Sequence, residues 1–91
     1  MIRSFADKDT ERLFKRASVR KFQGVEHVAL RKLRFLQEAK SLHDFKGPGF
    51  QLEKLTGDRA GQHSIRVSDK WRICFVWKDG EAHDVEITDY H

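Results

Sequence analysis

The sequence predicts an α+β fold: an antiparallel sheet of about four to five strands, with two N-terminal helices packed on one of its faces. The main observation is a change of period at Gly47-Pro48-Gly49. Before this loop apolar residues recur at three- and four-residue steps, as on a helix; after it they alternate, as on a strand. The second observation is order. Helices come first and strands follow consecutively, so the helices gather on one face of a meander. The other face is then left for a ligand. The length of 91 residues suits one domain spanning 1–91 with one core.

Ile2 to Phe5 reads as a short opening strand. Asp7 is placed to cap a helix, with Asp9 and Glu11 in its first turn, where carboxylates complement the helix dipole. Leu13 and Phe14 supply its buried stripe, while Arg12, Lys15 and Arg16 face water. Arg20 and Lys21 extend this basic run, which is either a solvated face or a landing patch for nucleic acid or an acidic partner. From Gly24 a second, longer helix buries Val25, Val28, Ala29, Leu33, Leu36 and Ala39. Its opposite side carries Arg31, Lys32, Arg34, Glu38 and Lys40, and Ser41 to Phe45 adds a short helical turn.

The strands expected after the loop are 50–54, 63–67, 71–77 and 82–88. Ser68-Asp69-Lys70 supplies turn chemistry between the middle two, and Asp79-Gly80 closes the last hairpin. Trp71, Ile73, Phe75 and Trp77 point one way, with Arg72, Cys74, Val76 and Lys78 the other. In the final strand His83, Val85 and Ile87 oppose Asp84, Glu86 and Thr88. Arg72 therefore stands near the middle of a sheet, where a guanidinium is costly unless it meets an anion. That anion is either a carboxylate on the next strand or a ligand.

Composition narrows the function classes. The net charge is +4 with 35% charged residues, which suits a protein facing RNA or DNA and equally an ordinary soluble one. Cys74 is the sole cysteine, so an internal disulfide is excluded; its apolar neighbours point to a buried thiol. No apolar signal region or membrane-length run is present, so no membrane partner and a cytoplasmic location are expected. The five histidines have no metal-ligand spacing, and neither a nucleophile elbow nor a P-loop occurs. No metal or cofactor is expected.

The remaining groups are Arg59 in a glycine-bounded loop, Arg66 and Arg72 on adjacent strands, and Asp89-Tyr90-His91. Such a set meets the needs of metal-free RNA cleavage. A base takes the proton of a ribose 2′-OH, a cation stabilises the phosphorane, and an acid protonates the leaving 5′-oxygen. Arginine stays protonated, so Arg72 is a charge clamp rather than a base. A histidine serves as acid or base near neutrality, and Tyr90 can stack on a base or bond a phosphate.

Gly57-Asp58-Arg59-Ala60-Gly61, Ser64-Ile65-Arg66-Val67, Trp71-Arg72-Ile73-Cys74-Phe75 and Asp89-Tyr90-His91, together with Ile2-Arg3-Ser4-Phe5 and Leu13-Phe14, resemble a HigB-type toxin. This is the plasmid-maintenance killer-protein branch of the RelE-like toxin superfamily, and the resemblance spans nearly the whole chain. It implies a RelE-like fold and a ribosome-dependent endoribonuclease that cuts mRNA without a metal. It also implies a helix-turn-helix antitoxin of the HigA type, with operator DNA bound only through the toxin–antitoxin complex. By position, Arg72 matches the family's phosphate-stabilising arginine, and Asp89, Tyr90 and His91 match its terminal cleavage group.

Some members have His-Pro-Leu-Lys-Gly-Asp-Arg where this chain has residues 53–59. Glu53 replaces a catalytic histidine there and Thr56 a lysine. Glu53 is then the candidate base, and Lys54 supplies the missing charge if the loop turns it inward. Arg20, Lys21, Arg31, Arg34, Arg59 and Arg66 are the remaining candidates for RNA or ribosome contact. The rival reading is a RelE-like module that binds antitoxin or nucleic acid, has weak or no cleavage, and acts in operon autoregulation.

Overall fold

The computed structural model describes residues 1–89. Helix α1 (Lys8–Phe14) and helix α2 (Glu26–Glu38) precede four strands: β1 (Glu53–Lys54), β2 (His63–Arg66), β3 (Arg72–Lys78) and β4 (Glu81–Thr88). The strands form an antiparallel sheet in the order β1-β2-β3-β4. The opening segment runs parallel to the outer edge of β4, through Ile2 opposite Ala82 and Phe5 opposite Val85. Both helices contribute to a core shared with one sheet face, as expected. Among the described residues no helix is long and apolar enough to cross a membrane.

Asp7 caps α1 by accepting the Thr10 N–H at 3.0 Å. Thr10 itself is fully buried: its hydroxyl donates to Asp7 Oδ1 at 2.6 Å and accepts the Ile87 N–H at 3.0 Å. A single side chain thus joins the helix cap to β4. Leu13 is buried as expected, whereas Phe14 is only partly so. The basic run after it hides two apolar anchors, Val19 and Phe22, with Phe22 in a 3₁₀ turn (Arg20–Phe22). Helix α2 buries Ala29, Leu33 and Leu36; full burial of a leucine contributes about 1.5–3 kcal/mol. Phe45 follows in a 3₁₀ turn (Leu42–Phe45) closed by a reciprocal Ser41–Asp44 capping box.

Four expectations are corrected. The first strand is not 50–54 but the two residues of β1, because Gln51 adopts a left-handed φ of 44° that breaks the extended run. Lys32 does not face water. Its ammonium donates to the carbonyls of Gly49 (2.7 Å) and Arg66 (2.6 Å) and lies over the Phe50 ring. Burial, and then the Arg66, Arg31 and Arg72 charges, lower its pKa. His83 does not share the core face with Val85 and Ile87; Ala82 does. The cause is an extra residue in β4: Cys74 pairs with Glu86 but Val76 with His83, and Asp84 takes φ 52° in the bulge. Ser4 Oγ accepts the Asp84 N–H at 2.9 Å and so fixes the bulge from the opening segment. Finally, the sheet face away from the helices is only partly free, since Ser64, Arg72 and Cys74 on it are buried.

The β3–β4 turn follows the sequence closely. Asp79 and Gly80 both have positive φ, 54° and 75°, as a type I′ turn demands. Histidine 63, in β2, packs against Phe75 on the core side. Its pKa is lowered by burial and then by the Lys54 charge.

The Thr10 link yields a stability prediction. Thr10→Val keeps the shape but leaves the buried Ile87 N–H without its acceptor, which costs about 1–3 kcal/mol. Urea unfolding should show that loss, with Thr10→Ser close to wild type. An unchanged midpoint for Thr10→Val contradicts the assigned role.

Candidate active site

Register builds the site. Glu53, Ser64, Cys74 and Glu86 lie side by side in one row across β1, β2, β3 and β4. The neighbouring row on the same face is Arg66, Arg72 and Thr88. Each row alternates away from the core face, where Ile65, Ile73 and Ile87 form their own layer. The face thus carries two carboxylates, two hydroxyls, a thiol and two guanidiniums before any loop is added.

Arg72 is only 6% exposed. Its Nε–H donates to Ser64 Oγ at 2.8 Å, and its Nη2 donates to the Gln51 carbonyl and, at 3.4 Å, to that of Ser64. Nη1 pairs with Glu53 Oε1 at 3.3 Å. The expected anion is present, therefore, but it comes from β1, two strands away, rather than from a neighbouring strand. Glu53 keeps a side chain 55% exposed, so the pair is closed at the arginine end and open to solvent at the carboxylate end.

A second ion pair stands at the other end of the row. Arg59, from a 3₁₀ turn (Gly57–Arg59), reaches Glu86 Oε1 at 3.2 Å and Gln62 Oε1 at 3.0 Å. Cys74 lies between the two pairs and is fully buried. Burial pushes its thiol up to about 11; Arg59 and Arg72 oppose the rise, and Glu86 and Glu53 add to it. An inert buried thiol is what the sequence indicated. Beside the row, a hollow of about 490 Å³ is lined by Glu53, Lys54, Leu55, Thr56, Asp58 and Arg59.

The structure thus brings together Arg72, Glu53, Arg59 and, on the same face, Arg66, whose guanidinium pairs with Asp69. Asp89 follows Thr88, which registers against Arg72. Tyr90 and His91 lie outside the described residues. Lys54 pairs in register with His63, so alternation sets it on the reverse of the strand from Glu53, although it borders the hollow. Arg31 and Arg34 are elsewhere: with Arg16, His27 and Leu30 they line a separate hollow of about 380 Å³ on the helices. Arg20 and Lys21 are exposed in the turn between the helices. Sequence reasoning missed Ser64 and the Gln51 carbonyl as partners of Arg72, and Glu86 and Gln62 as partners of Arg59. Ser64 was accessible in principle, because a turn centred on Asp69 places it diagonally across from Arg72.

Comparison with known proteins agrees with the fold and identifies the family. A family model for the RelE-like toxin of the type II toxin–antitoxin system HigB matches residues 3–91. The Endoribonuclease HigB of Proteus vulgaris is 33% identical over 93 residues, covering 100% of both chains. Toxin HigB-1 of Vibrio cholerae serotype O1 is 39% identical over 59 residues, which cover 64% of this chain and 62% of that protein. Among solved structures, the YoeB-YefM complex from Staphylococcus aureus matches with a TM-score of 0.62 at 16% identity. That match covers 100% of this chain and 98% of the other and is a likeness of fold.

The state of Cys74 is open to a direct check. Iodoacetamide at pH 8 should leave the native protein unmodified and label Cys74 only as urea unfolds it, because the thiol is both buried and protonated. Prompt labelling of the folded protein contradicts the burial of the row.

Proposed function

The chain belongs to the RelE-like HigB toxins of type II toxin–antitoxin systems, and we propose that it is an endoribonuclease that cuts mRNA on the ribosome by the 2′-OH route. The observation that carries this reading is the half-open Arg72–Glu53 pair: a fixed guanidinium with one edge toward a solvent-accessible carboxylate. Glu53 takes the proton of the ribose 2′-OH. The oxygen attacks the adjacent phosphorus, and Arg72 stabilises the charge gathering on the phosphorane. An acid from the Asp89-Tyr90-His91 group protonates the 5′-oxygen as its bond to phosphorus breaks. The products are a 2′,3′-cyclic phosphate and a 5′-hydroxyl. Arg59, at the far end of the row, and Arg66, beside Arg72, hold neighbouring phosphates, and Lys54 adds charge at the rim.

On the helical side, Arg20, Lys21, Arg31 and Arg34 contact ribosomal RNA. A protein antitoxin neutralises the toxin; we take it to be a HigA-like helix-turn-helix protein through which the complex reaches operator DNA. The site of action is the cytoplasm, where translating ribosomes are. A binding module without cleavage is the second reading. It is favoured by the pairing of both Arg72 and Arg59 with the protein's own carboxylates.

Arg72→Ala separates the two. Loss of a charge clamp costs about 3–4 kcal/mol of transition-state stabilisation, roughly 10²–10³ in rate. On programmed ribosomes the variant should bind mRNA complexes but cleave them slower by that factor, and it should no longer arrest growth. Binding should weaken steeply with salt, and charge reversal at Arg31 or Arg34 should lower the salt slope by about one per contact. Wild-type cleavage by Arg72→Ala removes it from the mechanism; absence of cleavage by the wild-type protein leaves the binding-module reading.

A further inference from the structure

We infer that Ser64 is a positioning residue for the cleavage reaction, holding the Arg72 guanidinium in the one plane that offers its Nη1 edge to the scissile phosphate. The inference rests on the endoribonuclease reading of the site. A guanidinium is a rigid planar fork with five N–H groups, so fixing two of its nitrogens fixes the third. Here Nε is held by Ser64 Oγ at 2.8 Å, while Nη2 is held by the Gln51 carbonyl and at 3.4 Å by the Ser64 carbonyl. Ser64 therefore supplies both a side-chain and a backbone acceptor. Nη1 points to the Glu53 carboxylate at 3.3 Å, whose side chain is 55% exposed.

The hydroxyl is 0% exposed and lies in the middle of the row, on β2 opposite Cys74. No substrate reaches it there, which excludes the nucleophile role a serine in a strand otherwise invites. It acts through Arg72. Without it the guanidinium loses the Ser64 Oγ acceptor at Nε and turns about its last torsions. Nη1 then leaves the position where charge develops. Ground-state binding of RNA, which spreads over many cations, is little affected.

The test uses the full-length protein in three forms, wild type, Ser64→Ala and Ser64→Thr, with Arg72→Lys to identify the Arg72 Nε–H signal by NMR. That signal should exchange slowly with water in wild type and Ser64→Thr, and quickly in Ser64→Ala. In single-turnover cleavage on programmed ribosomes, Ser64→Ala should be slower by roughly 100-fold, the scale of a misplaced catalytic group. Its affinity for the ribosome should be unchanged, and Ser64→Thr should restore most of the rate. In an Arg72→Ala background, Ser64→Ala should cost nothing more, because the group it positions is gone. A merely structural serine would instead lower both backgrounds equally, and that additive loss overturns the proposal. Wild-type cleavage by Ser64→Ala overturns it too. If Ser64→Thr fails to fold, the cycle with Arg72→Ala decides. A wild-type protein that does not cleave sinks the endoribonuclease reading. Fast exchange of the wild-type Arg72 Nε–H sinks the Ser64 assignment whatever the activity.

Discussion

A buried guanidinium is the constraint around which this small protein is arranged. Removing a charge from water costs several kcal/mol even after relaxation, on the order of what one good ion pair returns. Arg72 meets that cost with a hydroxyl, two carbonyls and one carboxylate. The demand explains features that look irregular in isolation. Three successive carbonyls, of Gly49, Phe50 and Gln51, accept from Lys32, the Arg66 N–H and Arg72 in turn. To present them, Gln51 takes a left-handed conformation, and the first strand shrinks to Glu53 and Lys54. The loop after Pro48 is therefore a fixed part of the site, tied to α2 through Lys32 and to β3 through Arg72.

The bulge in β4 does the complementary work at the other side of the sheet. From the Asp79-Gly80 turn outward, an unbroken ladder would set Val85 against Cys74 and Ile87 against Arg72. The extra residue at Asp84 shifts the phase, so Glu86 faces Cys74 and Thr88 faces Arg72, while Val85 and Ile87 enter the core. Asp84 tolerates the positive φ because a short polar side chain can, and the Ser4 hydroxyl holds its N–H. In consequence the strand ends with Thr88 beside Arg72. Thr10 secures the same strand from the helical side.

What the sequence disclosed follows from which interactions are local. The Asp7 cap, the Asp79-Gly80 turn, the α2 stripe and the inert Cys74 each depend on a few neighbouring residues, and all appear in the structure. Lys32 deceived because a lysine on the polar side of a helix normally faces water; its acceptors lie 17 and 34 residues away. The bulge left no signal beyond Asp84 itself, and it inverted the expected place of His83. Arg72 was legible as a buried charge needing an anion, but Glu53 as that anion required knowing that β1 lies beyond β2. The expected basic residues divide between two surfaces for the same reason: Arg59, Arg66 and Arg72 share the sheet face, and Arg31 and Arg34 share a helical hollow. Charge alone does not say which way a residue points.

The identity of the attacking atom decides between the 2′-OH route and hydrolysis by water. An mRNA carrying one 2′-deoxynucleotide at the position 5′ to the scissile bond should occupy the protein on programmed ribosomes yet remain uncut. The all-ribose message should yield a 2′,3′-cyclic phosphate and a 5′-hydroxyl end. Cleavage of the 2′-deoxy message at the ordinary rate would mean that water, rather than the neighbouring hydroxyl, attacks the phosphorus, and would contradict the roles given to Glu53 and Arg72.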